Sequence, residues 1–242
     1  MRNSKLSNLI TSFIAFSMLI VITVFSGSCR NEQGQQDQQQ LDSETDIDTM
    51  EYAEPRAYRG EISSLNQEFN DGNEVSGTVA MRIERGIMRI NVFVEGVEPE
   101  MMHLQHLQAS EEAETECPGP DADENKDGII DVMEITNDPE GVKMIPLNMG
   151  PSSLVVDVST YPQANANGEI QFETYVHVDS LRTAVREEYG IENVDFTNFT
   201  YIIQGVSPNA AIPVSTVTIG NIYPYATVPV GCAVLEEVDI DE

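Results

Sequence analysis

The residues best equipped for chemistry crowd into one short stretch. Residues 123–134 read Asp-Glu-Asn-Lys-Asp-Gly-Ile-Ile-Asp-Val-Met-Glu. Oxygen donors recur at alternate positions, a glycine follows the third, and a glutamate closes the run. A hard divalent cation such as calcium takes six to eight oxygens, and the spacing D-x-[DN]-x-[DN]-G-x5-E delivers them from one tight turn. Asp123, Asn125 and Asp127 supply side-chain oxygens at loop positions 1, 3 and 5. Gly128 permits the turn, Ile129 offers its backbone carbonyl, and Asp131 reaches the ion directly or through a water. Glu134 contributes two carboxylate oxygens. Ile130, at the eighth position, is the apolar residue that joins a short β-bridge where two such loops pair. Starting the frame at Asp121 instead puts Lys126 at the glycine and Val132 at the bidentate position, and the pattern fails. The competing reading is an acidic surface loop that matches by chance, which 41 Asp plus Glu make easier.

The flanks depart from the helix–loop–helix of an EF-hand. Residues 111–120 (EEAETECPGP) carry Cys-Pro-Gly-Pro, which forbids a long entering helix. A turn from Val132 to Asn137 can leave the loop before Pro139. No second loop exists to pair with, so cooperative sensing is not expected. Ca²⁺ here reads as a structural cofactor, stiffening a long excursion, with Kd in the ~10⁻⁴–10⁻³ M class of exported modules.

Little else in the sequence suggests a reaction. G-x-S-x-G, phosphate-loop, H-E-x-x-H and dinucleotide patterns are all lacking. Trp is absent too, which removes the usual platform for a glycosidase cleft. The three Cys are Cys29, Cys117 and Cys232, and the three His are His103, His106 and His177.

These residues need a compartment and a scaffold. Arg2 and Lys5 precede an apolar run from Leu9 to Phe25, followed by Ser26-Gly27-Ser28-Cys29. This order reads as a signal peptide over 1–28, with Cys29 acylated as in a bacterial lipoprotein. Ser26 stands where such sites usually carry Leu, and an uncleaved anchor or plain secretion are the alternatives. The run falls short of the ~20 residues that span a bilayer. Residues 29–55 are rich in Gln, Asp and Glu and read as a disordered tether, unable to bury enough apolar surface to order itself. Arg30 after the cysteine, in place of an Asp, tilts the expected address toward the outer membrane, periplasmic or surface-facing. In that setting Cys117 and Cys232 are expected to form a disulfide, with two free thiols as the alternative. Such a bridge would clip the excursion to the last strand and be worth ~4–5 kcal/mol by loop entropy.

The remainder, 56–242, reads as one mostly β domain with an insertion over 111–150. Val75 to Ile83 and Met88 to Val94 alternate with period two about Arg85-Gly86, which predicts a hairpin. Further strands are expected at Met101–Ala109, Leu154–Ser159, Glu169–Val178, Asn198–Val206, Ser215–Ile219 and Cys232–Leu235. One helix is expected over Ser180–Tyr189, capped by Ser180 and stopped by Gly190. Many short strands with Gly, Pro and Asn turns indicate a β-sandwich or barrel.

The stretch Val75-Ser76-Gly77-Thr78 through Val94-Glu95-Gly96-Val97-Glu98-Pro99, then Met101 to Gln108, resembles copper/zinc superoxide dismutase and the related CHRD domains. Cys117-Pro-Gly-Pro and Gly231-Cys232-Ala233-Val234 resemble the dismutase disulfide partners, and Tyr201 to Val206 its late histidine-bearing strand. The resemblance implies a Greek-key β-sandwich. It does not imply dismutase activity. The family's copper strand carries H-x-H, and here Gln108 follows His106; the late histidine is matched by Gln204. The bridging histidine and the zinc ligands have no counterpart, and three His cannot supply a set of about four imidazoles. His103 and His106 remain candidates for residual transition-metal binding, against a purely structural role.

The charge agrees with this assignment. With 12 Lys plus Arg against 41 Asp plus Glu, the net charge is −29. Removal of 1–28 takes Arg2 and Lys5 and no acidic residue, leaving −31. A field of this sign repels phosphates and excludes nucleic acid as a partner. The expected protein is thus a calcium-binding, non-catalytic envelope lipoprotein, attached through its lipid and meeting an unknown protein or small molecule. The alternatives are a metal-handling relic of a dismutase-like site, or an unrecognised envelope enzyme.

Overall fold

The computed structural model describes residues 54–109, 116–136 and 143–240. The expected signal peptide, Cys29 and the expected tether up to residue 53 lie outside the described residues, as do 110–115 and 137–142 of the insertion.

Among the described residues nine strands make up the fold: β1 (Arg56–Ser64), β2 (Ser76–Glu84), β3 (Ile87–Glu95), β4 (Gln105–Ala109), β5 (Met144–Pro146), β6 (Ile170–His177), β7 (Phe199–Gln204), β8 (Pro229–Val234) and β9 (Glu236–Val238). Two helices, α1 (Val178–Tyr189) and α2 (Pro224–Thr227), complete it. The strands run β5-β4-β7-β8-β1-β2-β3-β6, all neighbours antiparallel, with β9 added beside β1. The fold is therefore mostly β and sandwich-like, with crossovers between non-consecutive strands. β1 holds the two layers together: residues 56–62 pair with β2, and Ser63 and Ser64 pair with β8.

Alternation explains the core. Val79 and Met81 of β2, Met88 and Ile90 of β3, Leu107 of β4, and Tyr201 and Ile203 of β7 are buried in one cluster between the layers. The β2–β3 hairpin turns at Arg85 and Gly86, both with positive φ (50° and 75°), the primed turn whose twist matches its strands. Gly77 has φ +145°, and a Cβ there would lie 2.0 Å from the Phe93 carbonyl oxygen, so only glycine fits that crossing.

Several expectations give way. Leu154–Ser159 is not a strand: a 3₁₀ turn at Pro151–Ser153 delivers Leu154 in the left-handed region (φ 51°), and another at Val158–Thr160 follows. Asp157 caps that turn by accepting from Ser159 N, and Val155 is exposed. Ser215–Ile219 is likewise irregular, between Pro213 and Gly220. The helix begins earlier than Ser180, with His177 at the cap and no side-chain capping bond. Gly190 ends it as expected, with φ 72° and its N–H donating to Arg186 O. The expected strand over Met101–Ala109 starts only at Gln105, and β5 forms inside the 111–150 insertion, pairing with β4. A three-residue strand is too short for a periodicity to announce it.

Candidate functional site

Residues 116–136 of the insertion pack against Ile202 of β7 and Cys232 of β8. Cys117 is bonded to Cys232 of β8, with Cα atoms 5.8 Å apart. Pro118-Gly119-Pro120 then leads into a single 3₁₀ turn, Pro120–Ala122, and among the described residues no long helix enters the loop. On the loop's underside Ile129 is fully buried in the main core. Ile130 and Ile135 pack with Leu65, Ile202 and Cys232. Apolar burial and the disulfide together fix the base of residues 123–134 to the sandwich.

Within the loop the expected ligands fold onto its backbone. Asp123 accepts from Asp127 N (3.2 Å) and Gly128 N (2.9 Å). Asn125 Oδ1 accepts from Asp127 N (2.9 Å), and Asp127 Oδ1 from Ile129 N (3.0 Å). Lys126 and Gly128 both have positive φ, 61° and 89°, which winds the chain tightly around these oxygens. Glu134 closes the ring: one oxygen accepts from Glu124 N and Asn125 N (3.1 and 3.3 Å), the other from Asp131 N (3.0 Å). Position 12 is thereby returned to the start of the loop. A single turn over Val132–Ile135 leaves it, with Ile135 N donating to Asp131 O. Among the described residues, no three or more His, Cys, Asp or Glu side chains are gathered closely enough to hold an ion.

Three contacts to the loop were not legible in the sequence. Asn66, just after β1, exchanges two hydrogen bonds of 2.8 Å with the backbone of Ile130, accepting from its N–H and donating to its carbonyl. Ser215 donates to Asp127 Oδ2, and Val217 N donates to Asp131 Oδ2 at 2.6 Å. Asp131, only 1% exposed, also accepts from Met133 N at 2.8 Å. These partners lie 64 and more residues away, and no local pattern marks them.

The histidines do not form a matching cluster. His103 is buried, and its two ring nitrogens meet two main-chain carbonyls, Gln204 O at 2.9 Å and Glu98 O at 2.8 Å. Neither nitrogen is left to face an ion. Burial lowers its pKa, and the two carbonyls pull the other way. His106 stands opposite Ile202 of β7, on the face the insertion covers. Its Nε2 has no hydrogen-bond partner among the described residues, and burial pushes its pKa down to about 3. Gln108 Oε1, by alternation on the same face of β4, and Gln204 Oε1, at the register shift that ends β7, are also buried without a partner. Their amide nitrogens are engaged, with Ile135 O at 3.3 Å and Thr227 O at 3.1 Å. His177 is exposed on edge strand β6.

No protein-family profile and no curated protein sequence matches the chain, so neither the CHRD nor the EF-hand likeness is carried by one. Among solved structures, a double mutant of a SOD-like protein from Bacillus subtilis aligns at TM-score 0.37 and 11% identity. That alignment covers 72% of this chain and 94% of the other. A single mutant of a SOD-like protein from Bacillus subtilis aligns at TM-score 0.34 and 10% identity, covering 73% and 95%. Superpositions this loose carry no argument about chemistry, and the site stands on its own residues.

Proposed function

We propose that the chain is a calcium-binding lipoprotein of the cell envelope, non-catalytic, whose EF-hand-type loop takes one structural Ca²⁺. The observation that carries this reading is the loop 123–134 itself: every position of the calcium pattern is filled, and the chain winds so that Glu134 closes onto residues 124 and 125. Its donor set is all oxygen, from Asp123, Asn125, Asp127, Ile129, Asp131 and Glu134, which suits a hard cation. The amide bonds these side chains accept do not exhaust them, because a carboxylate offers about four lone-pair sites. Calcium would supply a charge for these carboxylates to converge on, and the disulfide and Ile129 would pass that rigidity to the sandwich. The anchor is supported by the order of Arg2, Lys5, Leu9–Phe25 and Cys29.

A second reading has its own observation. His106 Nε2 and Gln108 Oε1 are buried without a partner on alternate residues of β4, and Gln204 Oε1 is likewise orphaned at the end of β7, as a degraded dismutase-like metal site would leave them. One preparation separates the two readings. In the first, adding millimolar calcium after chelation raises the melting temperature, Asp123→Ala abolishes the rise, and Cys29→Ala releases the chain from the membrane fraction. In the second, the chain purified without chelator carries copper and its melting ignores calcium.

A further inference from the structure

In paired calcium loops the residue at the eighth position exchanges its N–H and C=O with the same residue of a twin loop. This chain has one loop, and its eighth residue, Ile130, makes that exchange with a side chain. Asn66 Oδ1 accepts from Ile130 N at 2.8 Å, and Asn66 Nδ2 donates to Ile130 O at 2.8 Å. The same amide donates to Pro229 O, at the start of β8, at 2.9 Å. A carboxamide has two donors and one acceptor oxygen, so both hydrogens and the oxygen are used. From the geometry we infer that Asn66 stands in for the missing partner loop and positions the calcium loop for its ion.

The backbone around Asn66 is built for this. Leu65 N donates to Val230 O at 2.9 Å, and the Leu65 side chain packs against Ile130. Asn66 then takes the left-handed conformation, φ 47° and ψ 38°, which Asn tolerates better than other non-glycine residues. That kink turns its side chain onto the loop. Ile130 lies between Ile129, whose carbonyl oxygen is a calcium ligand in this reading, and the carboxylate Asp131, so holding Ile130 at both its N–H and its C=O sets where these two ligands present their oxygens. Asn66 is a positioning residue and need not touch the ion.

The inference rests on the calcium reading, and one experiment distinguishes its failure from the failure of that reading. Calcium is titrated calorimetrically into the full chain in detergent, as wild type, Asn66→Gly and Asn66→Asp. Glycine keeps the left-handed backbone at no steric cost and removes only the carboxamide. Aspartate keeps the shape, loses both donors, and adds a negative charge that by itself would favour calcium, so weaker binding there is diagnostic. The expected result is a calcium Kd raised about tenfold or more in both variants, as loss of two hydrogen bonds of ordinary worth implies. A wild-type Kd in Asn66→Gly, even with a lowered metal-free melting temperature, overturns the positioning role while the calcium reading stands. If Asn66→Gly does not fold, an unweakened Kd in Asn66→Asp overturns it equally. Absence of calcium heat in the wild type overturns both.

Discussion

His106 is a titratable ring closed inside the fold with one nitrogen unpartnered. Its pKa falls from the ordinary 6.5 to about 3 because burial penalises the charged form. Between those values the folded chain binds fewer protons than the unfolded one. The ring's contribution is therefore intact above pH 6.5 and is lost as pH falls toward 3, at about 1.4 kcal/mol per pH unit. Melting followed by circular dichroism from pH 7 to pH 4 checks this: His106→Leu is expected to flatten the decline. It will not remove it, because burial lowers His103 in the same direction. A decline of unchanged slope in His106→Leu would count against a neutral, buried ring.

At the scale of elements, the insertion is held by a covalent clip, an apolar underside and the Asn66 bridge. Cys117 and Cys232 are 115 residues apart in sequence, so their bond removes much freedom from the unfolded chain. Replacing both by Ala is expected to cost ~2–5 kcal/mol of unfolding free energy, read by denaturant melting. Proteolysis of the insertion should quicken, with cleavage inside 117–136; unchanged protection would mean that burial of Ile129 and Ile130 suffices. The pairing of these cysteines followed from counting them in a chain whose N-terminus reads as an export signal. The β2–β3 hairpin was legible for a different reason, since period-two alternation and Arg85-Gly86 agree on it. By contrast Leu154–Ser159 alternates without pairing, because Pro151 and the Asp157 cap win locally and Val155 faces solvent. Short β5 and β9 owe their existence to neighbours and leave no periodic trace. The calcium pattern was readable because all its donors are local. Asn66, Ser215 and Val217 were not, since only the folded topology brings them to the loop.

At the scale of the whole molecule, a chain of net charge −29 needs little of its acidity for a single ion. The loop commits Asp123, Asp127, Asp131 and Glu134 to one turn, and the remaining carboxylates keep the surface solvated. Exposed pairs such as Arg56–Glu237 and Arg59–Glu61 add little stability at these exposures. Among the described residues no helix is long and apolar enough to cross a membrane. Loading the loop is expected to stabilise the domain by about 2.7 kcal/mol at a hundredfold excess over Kd. Calorimetric titration of calcium into the wild-type chain and into Glu134→Gln tests calcium binding by the loop most directly. One saturable site in the wild type, with Kd of ~10⁻⁴–10⁻³ M and loss of that binding in Glu134→Gln, is the predicted result. No saturable heat up to about 10 mM calcium, or the same isotherm in both chains, would contradict it.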